Sequence, residues 1–237
     1  MKKFEIKKLT QAEEILVEAE RQKIFERMRS VPDGGVEVEH LGKKITVLKG
    51  VFWPRYDSEE VIRKMEIKKG DDVLDVCTGS GVIAVHEALN GARKVVALDI
   101  NPEAVKNTLL NAKKFGVENI IEARVSDVFS ALKSDEQFDV ITCNPPFSKK
   151  QISDPDEKFV KQSIKDEGHM LHRNFFENVG KYLKPDGKIF MADANFGNVE
   201  DVLSLATQNG YEYEVVGVNA IANTVLIYYA FRFTRKL

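Results

Sequence analysis

Val73-Leu74-Asp75-Val76-Cys77-Thr78-Gly79-Ser80-Gly81-Val82-Ile83-Ala84 is the stretch whose reading decides the fold. An apolar run of strand length passes into a glycine turn and then into a helical pattern. Gly79 and Gly81 let the backbone turn tightly and come close to a ligand, and the helix that follows presents free N–H groups at its start. Gly79-x-Gly81-x-x-Ala84 satisfies the dinucleotide fingerprint formally, but that pattern is weak by itself. Outward from it, strand and helix patterns alternate from Asp72 onward, the signature of an α/β domain with a mainly parallel sheet. Strands are expected at Val73–Val76, Val95–Leu98, Ile120–Ala123, Phe138–Cys143, Lys188–Ala192, Tyr213–Val218 and Val225–Phe233. Helices are expected at Val82–Asn90, Pro102–Phe115, Arg173–Leu183 and Val199–Asn209. The last two strands have no helix between them, which predicts an antiparallel hairpin at the edge of a seven-stranded, Rossmann-like sheet.

Twenty residues after Gly79 stands Asp99, closing the second strand. A carboxylate there accepts hydrogen bonds from ribose hydroxyls, so glycine loop and acid together predict an adenosine-type cofactor. Asp75 ends the first strand, where its charge repels a pyrophosphate and attracts an ammonium or sulfonium. Asp127, after the third strand, is placed to accept from an adenine amino group or to cap the segment that follows. Three acids at successive strand ends suit S-adenosyl-L-methionine better than NAD. The expected cofactor set is Asp75, Cys77, Thr78, Gly79, Ser80, Gly81, Asp99, Ile100, Asp127, Val128 and Asn144.

Upstream, Gln11 to Met28 carries an apolar helical stripe behind a capping box of Thr10 and Glu13. It reads as a helix laid against the main domain or as a substrate-docking arm. Pro32-Asp33-Gly34-Gly35 breaks it, and alternating residues from Val36 to Leu48 read as a hairpin. Residues 1–50 are thus expected to form a helix-and-hairpin extension, and 51–237 the main domain. Between them and the next helix, for which Ser58 is the expected cap, lie Phe52, Trp53, Arg55 and Tyr56. Those aromatics either wall a pocket or seal the loop. Formal net charge is −2, with 35 Lys and Arg against 37 Asp and Glu, so any nucleic-acid face must be local. Two cysteines, Cys77 and Cys143, offer neither a disulfide framework nor metal-ligand spacing and suit a reducing cytosol. No apolar run reaches the ~20 residues of a membrane span and no signal-peptide core follows Lys2-Lys3, so the expected location is cytoplasmic.

Downstream, the strand Phe138–Cys143 runs into Asn144-Pro145-Pro146-Phe147. Neither proline has an N–H, so the strand stops at Asn144 and a stiff turn follows. That turn aims an amide and an aromatic ring off the carboxyl edge of the sheet, where open α/β sheets bind ligands; an ordinary strand exit is the alternative. His169 and His172 sit three apart without a ligand cluster and read as a solvated helix start. Lys149, Lys150, Lys158, Lys161 and Lys165 interleave with Asp154, Asp156, Glu157 and Asp166, which reads as a solvated flap.

Asp75-x-x-Thr78-Gly79-Ser80-Gly81, Asp99 and Asn144-Pro145-Pro146-Phe147 together resemble class I S-adenosylmethionine-dependent methyltransferases of the N-methylating branch, which act on planar nitrogens of adenine, cytosine or glutamine. Pro54-Arg55-x-x-Ser58-Glu59 behind a hairpin resembles the Pro-Arg-Pro-Glu-Thr-Glu segment of release-factor glutamine methyltransferases. The resemblance spans residues 40 to 235. The chain departs from that family at Phe147 (usually Tyr), Cys77 (Gly), Val128 (a bulky aromatic) and in the size of its N-terminal extension. The resemblance implies that Asn144, Pro145, Pro146 and Phe147 are the catalytic set. The Asn144 side-chain oxygen and the Pro145 carbonyl would each accept one N–H of the target while Phe147 stacks on it. Phe52, Trp53, Arg55 and Phe147 are the expected substrate contacts. The expected substrate is a protein glutamine, with a release factor as the implied partner; the alternatives are an adenine amine in structured RNA (rRNA or tRNA) and, more distantly, NAD-dependent oxidation. The resemblance also allows a small activator subunit. No metal and no membrane partner are expected.

Overall fold

Thr10 opens the first helix, α1 (Gln11–Ser30), through the expected reciprocal cap: its hydroxyl accepts from the Glu13 N–H at 3.3 Å while Glu13 accepts from the Thr10 N–H at 2.9 Å. The hairpin β1 (Val36–His40) and β2 (Lys43–Val47) comes next, then α2 (Tyr56–Lys64), β3 (Asp72–Val76), α3 (Val82–Leu89), β4 (Lys94–Asp99), α4 (Pro102–Lys114) and β5 (Ile121–Val125). The chain continues through β6 (Phe138–Cys143), α5 (Met170–Asn178), β7 (Leu183–Ala194), α6 (Val199–Gln208), β8 (Tyr211–Ala220) and β9 (Ile227–Arg235). The computed structural model describes residues 5–146, 166 and 170–236. Phe147, Lys149, Lys150, Asp154, Asp156, Glu157, Lys158, Lys161, Lys165 and His169 lie outside the described residues.

Seven strands make one sheet in the order β5-β4-β3-β6-β7-β9-β8, with β9 alone running against its neighbours. Strands buried on both faces are near-continuously apolar, as parallel sheets under helices require. Leu74, Val76, Leu98 and Ile141 face one core with Phe175, Phe176 and Val202, while Val73, Val95, Ala97 and Val140 face the other with Val61, Ile83 and Ala112. Each such side chain removed from water contributes about 1.5–3 kcal/mol. The expected antiparallel hairpin at the sheet edge is present, with β9 inserted between β7 and the edge strand β8.

Two expectations change. The helix expected over Arg173–Leu183 ends at Asn178 in a short 3-10 turn, Val179–Lys181, and Leu183 already begins a strand. Leu183 is fully buried opposite Phe138, and the register slips between that pair and Val140–Lys188. The turn-forming Pro185-Asp186-Gly187 is thereby absorbed as an irregularity inside β7. Ser58 does not cap α2; it lies inside the first turn, where its hydroxyl donates to the Arg55 carbonyl at 2.7 Å.

The hairpin β1–β2 forms its own two-stranded sheet and is stitched to the main domain by two buried asparagines of α4. Asn107 accepts from the Leu48 N–H at 2.8 Å, and Asn111 accepts from the Thr46 N–H at 3.0 Å. The Asn111 amide also donates to the Thr46 and Ser80 carbonyls, both at 2.8 Å, tying hairpin and glycine loop to one helix. That helix approaches the loop so closely that a Cβ on Gly81, at φ +77°, would sit 2.7 Å from the Thr108 Cα. Gly79, at φ +56°, faces open space.

Beneath the loop lies a buried acid pair. Thr142 Oγ1 is 3.0 Å from Asp75 and 2.7 Å from Glu87, and both carboxyls are wholly buried. A hydroxyl carries one proton, so if it donates to one carboxyl the other must supply its own. Burial, reinforced by the Asp75 charge, pushes Glu87 well above the ordinary carboxylate range. Burial pushes Asp75 up to about 7, against the pull of its hydrogen bonds to Thr78 and Thr142. Burial thus favours the protonated form of both carboxyls, and the Thr142 hydroxyl links them.

Gly81→Ala should cost about 2–4 kcal/mol in urea unfolding, the sum of a left-handed backbone and a backbone clash, whereas Gly79→Ala should cost about 1 kcal/mol. Both acids of the buried pair are shifted upward, so they favour the folded state below their unfolded values, near pH 4, and lose that advantage as pH rises through about 7. Thermal melts from about pH 5 to 8 should therefore fall less steeply for Glu87→Gln than for the unaltered chain; equal slopes would overturn this assignment.

Candidate active site

The sheet order reverses between β3 and β6, since β3 is followed by β4 on one side and β6 by β7 on the other. Ligands of open α/β sheets bind outside the carboxyl ends of strands at such a point. Val76 pairs with Cys143, so the next residue of each strand, Cys77 and Asn144, leaves the sheet side by side. One turn begins the glycine loop and the other the double proline. A cavity of about 430 Å³ opens there, within the range of small-molecule sites.

One end of the cavity is built by the loop and the next two strand ends. Cys77, Thr78, Gly79 and Ser80 line it with Asp99, Ile100, Asn101, Ser126, Asp127 and Val128. Asp99 accepts from the Gly79 and Asn101 N–H groups, each at 2.9 Å, which locks its carboxyl while leaving it partly accessible. Burial raises its pKa against those bonds. The expected cap at Asp127 is not formed by its side chain: its backbone N–H donates to Ser130 Oγ at 3.0 Å and its residue is exposed at the cavity wall. Cys77 and Val128 carry φ of +62° and +47°, unusual for residues with a Cβ and more so for a β-branched one. Such backbones collect at functional sites, where surrounding structure holds them.

The other end is closed by α1, the loop before α2, and β9. Arg21 and Phe25 of α1, Phe52, Pro54, Arg55, Asp57, Pro145, Pro146, Phe196 and Tyr228 line it. Asn144 donates from Nδ2 to Asp57 Oδ2 at 3.1 Å, and its Oδ1 is buried without a partner. Asp57 sits in the first turn of α2, held by the hairpin: His40 Nε2 is 3.0 Å from Ser58 Oγ and 3.2 Å from the Arg55 carbonyl. Arg21 and His40 carry no motif signal and only packing reveals them; Asp57 stands at the first Glu of the Pro-Arg-Pro-Glu-Thr-Glu pattern, and packing reveals its contact with Asn144.

Asp75 does not line the cavity. It is wholly buried under the loop, bonded to Thr142, so it supports the loop and offers no charge to a ligand. Trp53 is also elsewhere, packed with Val47, Val51 and Ala104, and so seals the hairpin, whereas Phe52 both packs on Phe25 and lines the cavity. His172 is not solvated: it is buried, with Nδ1 2.5 Å from Asp166, which also accepts from the Leu171 and His172 N–H groups. Burial pushes Asp166 up, but His172 and those donors outweigh it and its pKa is lowered. No metal-binding cluster of His, Cys, Asp and Glu occurs among the described residues.

Four carboxyls (Asp57, Asp99, Asp127, Asp166) and two guanidiniums (Arg21, Arg55) border the cavity. That balance repels a pyrophosphate and suits a ligand bearing an ammonium, a sulfonium and one carboxylate. The open face at Gly79 and the locked carboxyl of Asp99 fit a ribose and its attached chain. S-adenosylmethionine carries all of these groups.

The sequence profile described as "Methyltransferase small domain" matches residues 44–218. A putative protein N5-glutamine methyltransferase of Methanocaldococcus jannaschii is 31% identical over 183 residues, 76% of this chain and 89% of the relative. A release factor glutamine methyltransferase of Koribacter versatilis is 33% identical over 169 residues, which cover 65% of this chain but 58% of the relative's length. Among solved structures, the T. thermophilus 16S rRNA N2 methyltransferase RsmC, in complex with AdoMet and guanosine, superposes with a TM-score of 0.63 at 22% identity, over 86% of this chain and 50% of that one. The E. cuniculi Mtq2–Trm112 complex superposes with a TM-score of 0.58 at 19% identity, over 79% of this chain and 99% of that one. The chain therefore belongs to the methyltransferase small domain family and is an S-adenosylmethionine-dependent methyltransferase.

Proposed function

We propose that the protein transfers a methyl group to a planar nitrogen, and that this nitrogen is the side-chain amide of a glutamine in a protein. The observation that carries the reading is the Asn144 amide: its donor end is taken by Asp57, so a buried acceptor oxygen remains beside the double proline. An amide nitrogen is a poor nucleophile because its lone pair is delocalised. Holding its N–H groups on fixed acceptors aims the lone pair and stabilises the charge that develops, which is positioning and electrostatics rather than strong base catalysis. Asn144 Oδ1 accepts one N–H, and in this reading the other is shared between the Pro145 carbonyl and the Asp57 carboxylate, which border the same cavity. S-adenosylmethionine, when bound along Gly79 and Asp99, supplies the electrophilic methyl group. Asp99 orients the ribose, Asp127 the adenine, and Cys77, Thr78 and Ser80 form the loop beside them.

The relatives' names support the glutamine: one is a protein N5-glutamine methyltransferase and another a release factor glutamine methyltransferase. The Mtq2–Trm112 complex is described as methylating a translation termination factor, which supports a release factor as target and a small activator subunit as partner. In this reading residues 51–237 carry the transfer chemistry, and Arg21 and Phe25 of the 1–50 extension border the same cavity. Among the described residues no helix is long and apolar enough to cross a membrane.

Asn144→Ala should lower single-turnover transfer by about 100-fold or more while S-adenosylmethionine binding in calorimetry stays near that of the unaltered chain. Equal turnover would remove Asn144 from the mechanism. Radiolabelled methyl incorporated into a cell extract should be lost on protease treatment and survive ribonuclease. The opposite pattern would refute the glutamine reading in favour of an RNA amine.

A further inference from the structure

We propose that Asp57 is a catalytic residue: it fixes the orientation of the Asn144 amide and, through its other oxygen, accepts the proton that leaves the methylated nitrogen. This rests on the nitrogen-methylating reading above and adds to it the destination of the proton. Asp57 is 3% exposed, borders the same cavity as Asn144 and Pro145, and receives the Asn144 Nδ2 hydrogen bond on Oδ2 at 3.1 Å. Its Oδ1, like that of Asn144, is buried and has no hydrogen-bond partner.

The orientation follows from donor and acceptor inventory. An ionised carboxylate only accepts, so the Asn144 amide must turn its NH₂ toward Asp57 and its oxygen away. The reverse orientation would set two acceptors against each other in a buried site. Asp57 cannot swing aside freely, because it lies in a helix turn whose preceding loop is held by Ser58 and His40 on the Arg55 carbonyl. Two linked residues therefore each hold an unsatisfied oxygen. A primary nitrogen carries two N–H donors and satisfies both, so the pair favours NH₂ groups over nitrogens already substituted.

Methyl transfer makes the destination of charge explicit. The nitrogen lone pair forms the new N–C bond, the C–S bond breaks, and its electron pair stays on sulfur, which loses its positive charge. The nitrogen is left cationic with one proton too many. Asp57, already hydrogen-bonded to that N–H, takes the proton and becomes a neutral carboxylic acid. A buried sulfonium and a buried carboxylate thus end as two neutral groups, and no charge has to cross the cavity. The other acids are less well placed: Asp75 and Glu87 lie outside the cavity, Asp99 and Asp127 belong to the end built by β4 and β5, and Asp166 is occupied by His172.

Asp57→Asn keeps the shape, removes the proton acceptor and frees the Asn144 amide to turn. In the full chain, single-turnover transfer should fall by about 100-fold, with S-adenosylmethionine affinity and substrate KM within about threefold. Asp57→Glu should recover about 10-fold of that loss. A loss in KM alone, or no loss, would overturn the proposal. The second readout is the Asn144 side-chain NH₂ signal in an ¹⁵N–¹H spectrum, assigned by its disappearance in Asn144→Asp. It should lie downfield in the unaltered chain and move upfield in Asp57→Asn; an unmoved signal would refute the contact. Failure of the unaltered chain to methylate any nitrogen acceptor would instead count against the nitrogen reading, while the NH₂ shift still decides the contact.

Discussion

The site depends on one register: Val76 of β3 opposite Cys143 of β6, in parallel. That pairing puts the glycine turn and the double-proline turn at the same height on the same edge. A slip of one residue would reverse which face each side chain occupies and bury Asn144 or expose Cys143. The same pair of strands holds Asp75 and Thr142 opposite each other, and Thr142 in turn reaches Glu87 of α3. The register is thus secured by buried apolar side chains on both faces and by the Thr142 hydrogen bonds to both buried acids.

On that frame the two ends of the cavity are built differently. The glycine-loop end is made by consecutive βα units, each adding one strand terminus with its acid. The other end is made by parts that are distant in sequence: α1, the loop before α2, the first turn of α2 and β9. Asn107 and Asn111 of α4 join the hairpin to the glycine loop by satisfying the backbone of both with side-chain amides, because the hairpin strands have no third strand to pair with. Burying such amides is tolerable only because nearly every donor and acceptor is met. The cavity itself is bordered by four buried groups without a partner among the described residues, Asn144 Oδ1, Asp57 Oδ1, Arg21 Nη2 and Arg55 Nη1.

Periodicity and punctuation made the sheet legible, since the central strands β3, β4 and β6 are short apolar runs and α1, α3, α4 and α6 begin at a cap or end at a glycine. The errors came where those signals conflict with pairing. The strand expected from Lys188 already begins at Leu183, because burial of Leu183 against Phe138 draws Pro185-Asp186-Gly187 into it. Asp75 reads as a ligand-facing charge because it ends a strand, yet its side chain is buried against Thr142, which also bonds Glu87. Trp53 and Phe52 are neighbours in sequence on one loop, and only packing separates the seal from the cavity wall.

By itself the sequence determined the α/β class, the glycine loop with Asp99 twenty residues on, and the double-proline strand exit, because each is set by backbone stereochemistry within a few residues. Only the tertiary structure decided that Asp57 holds Asn144, that α1 closes the cavity with Arg21 and Phe25, and that Asp75 is a support. Those facts are contacts between residues 67 to 87 positions apart or packing of one element on another, and no local rule of chain geometry encodes them.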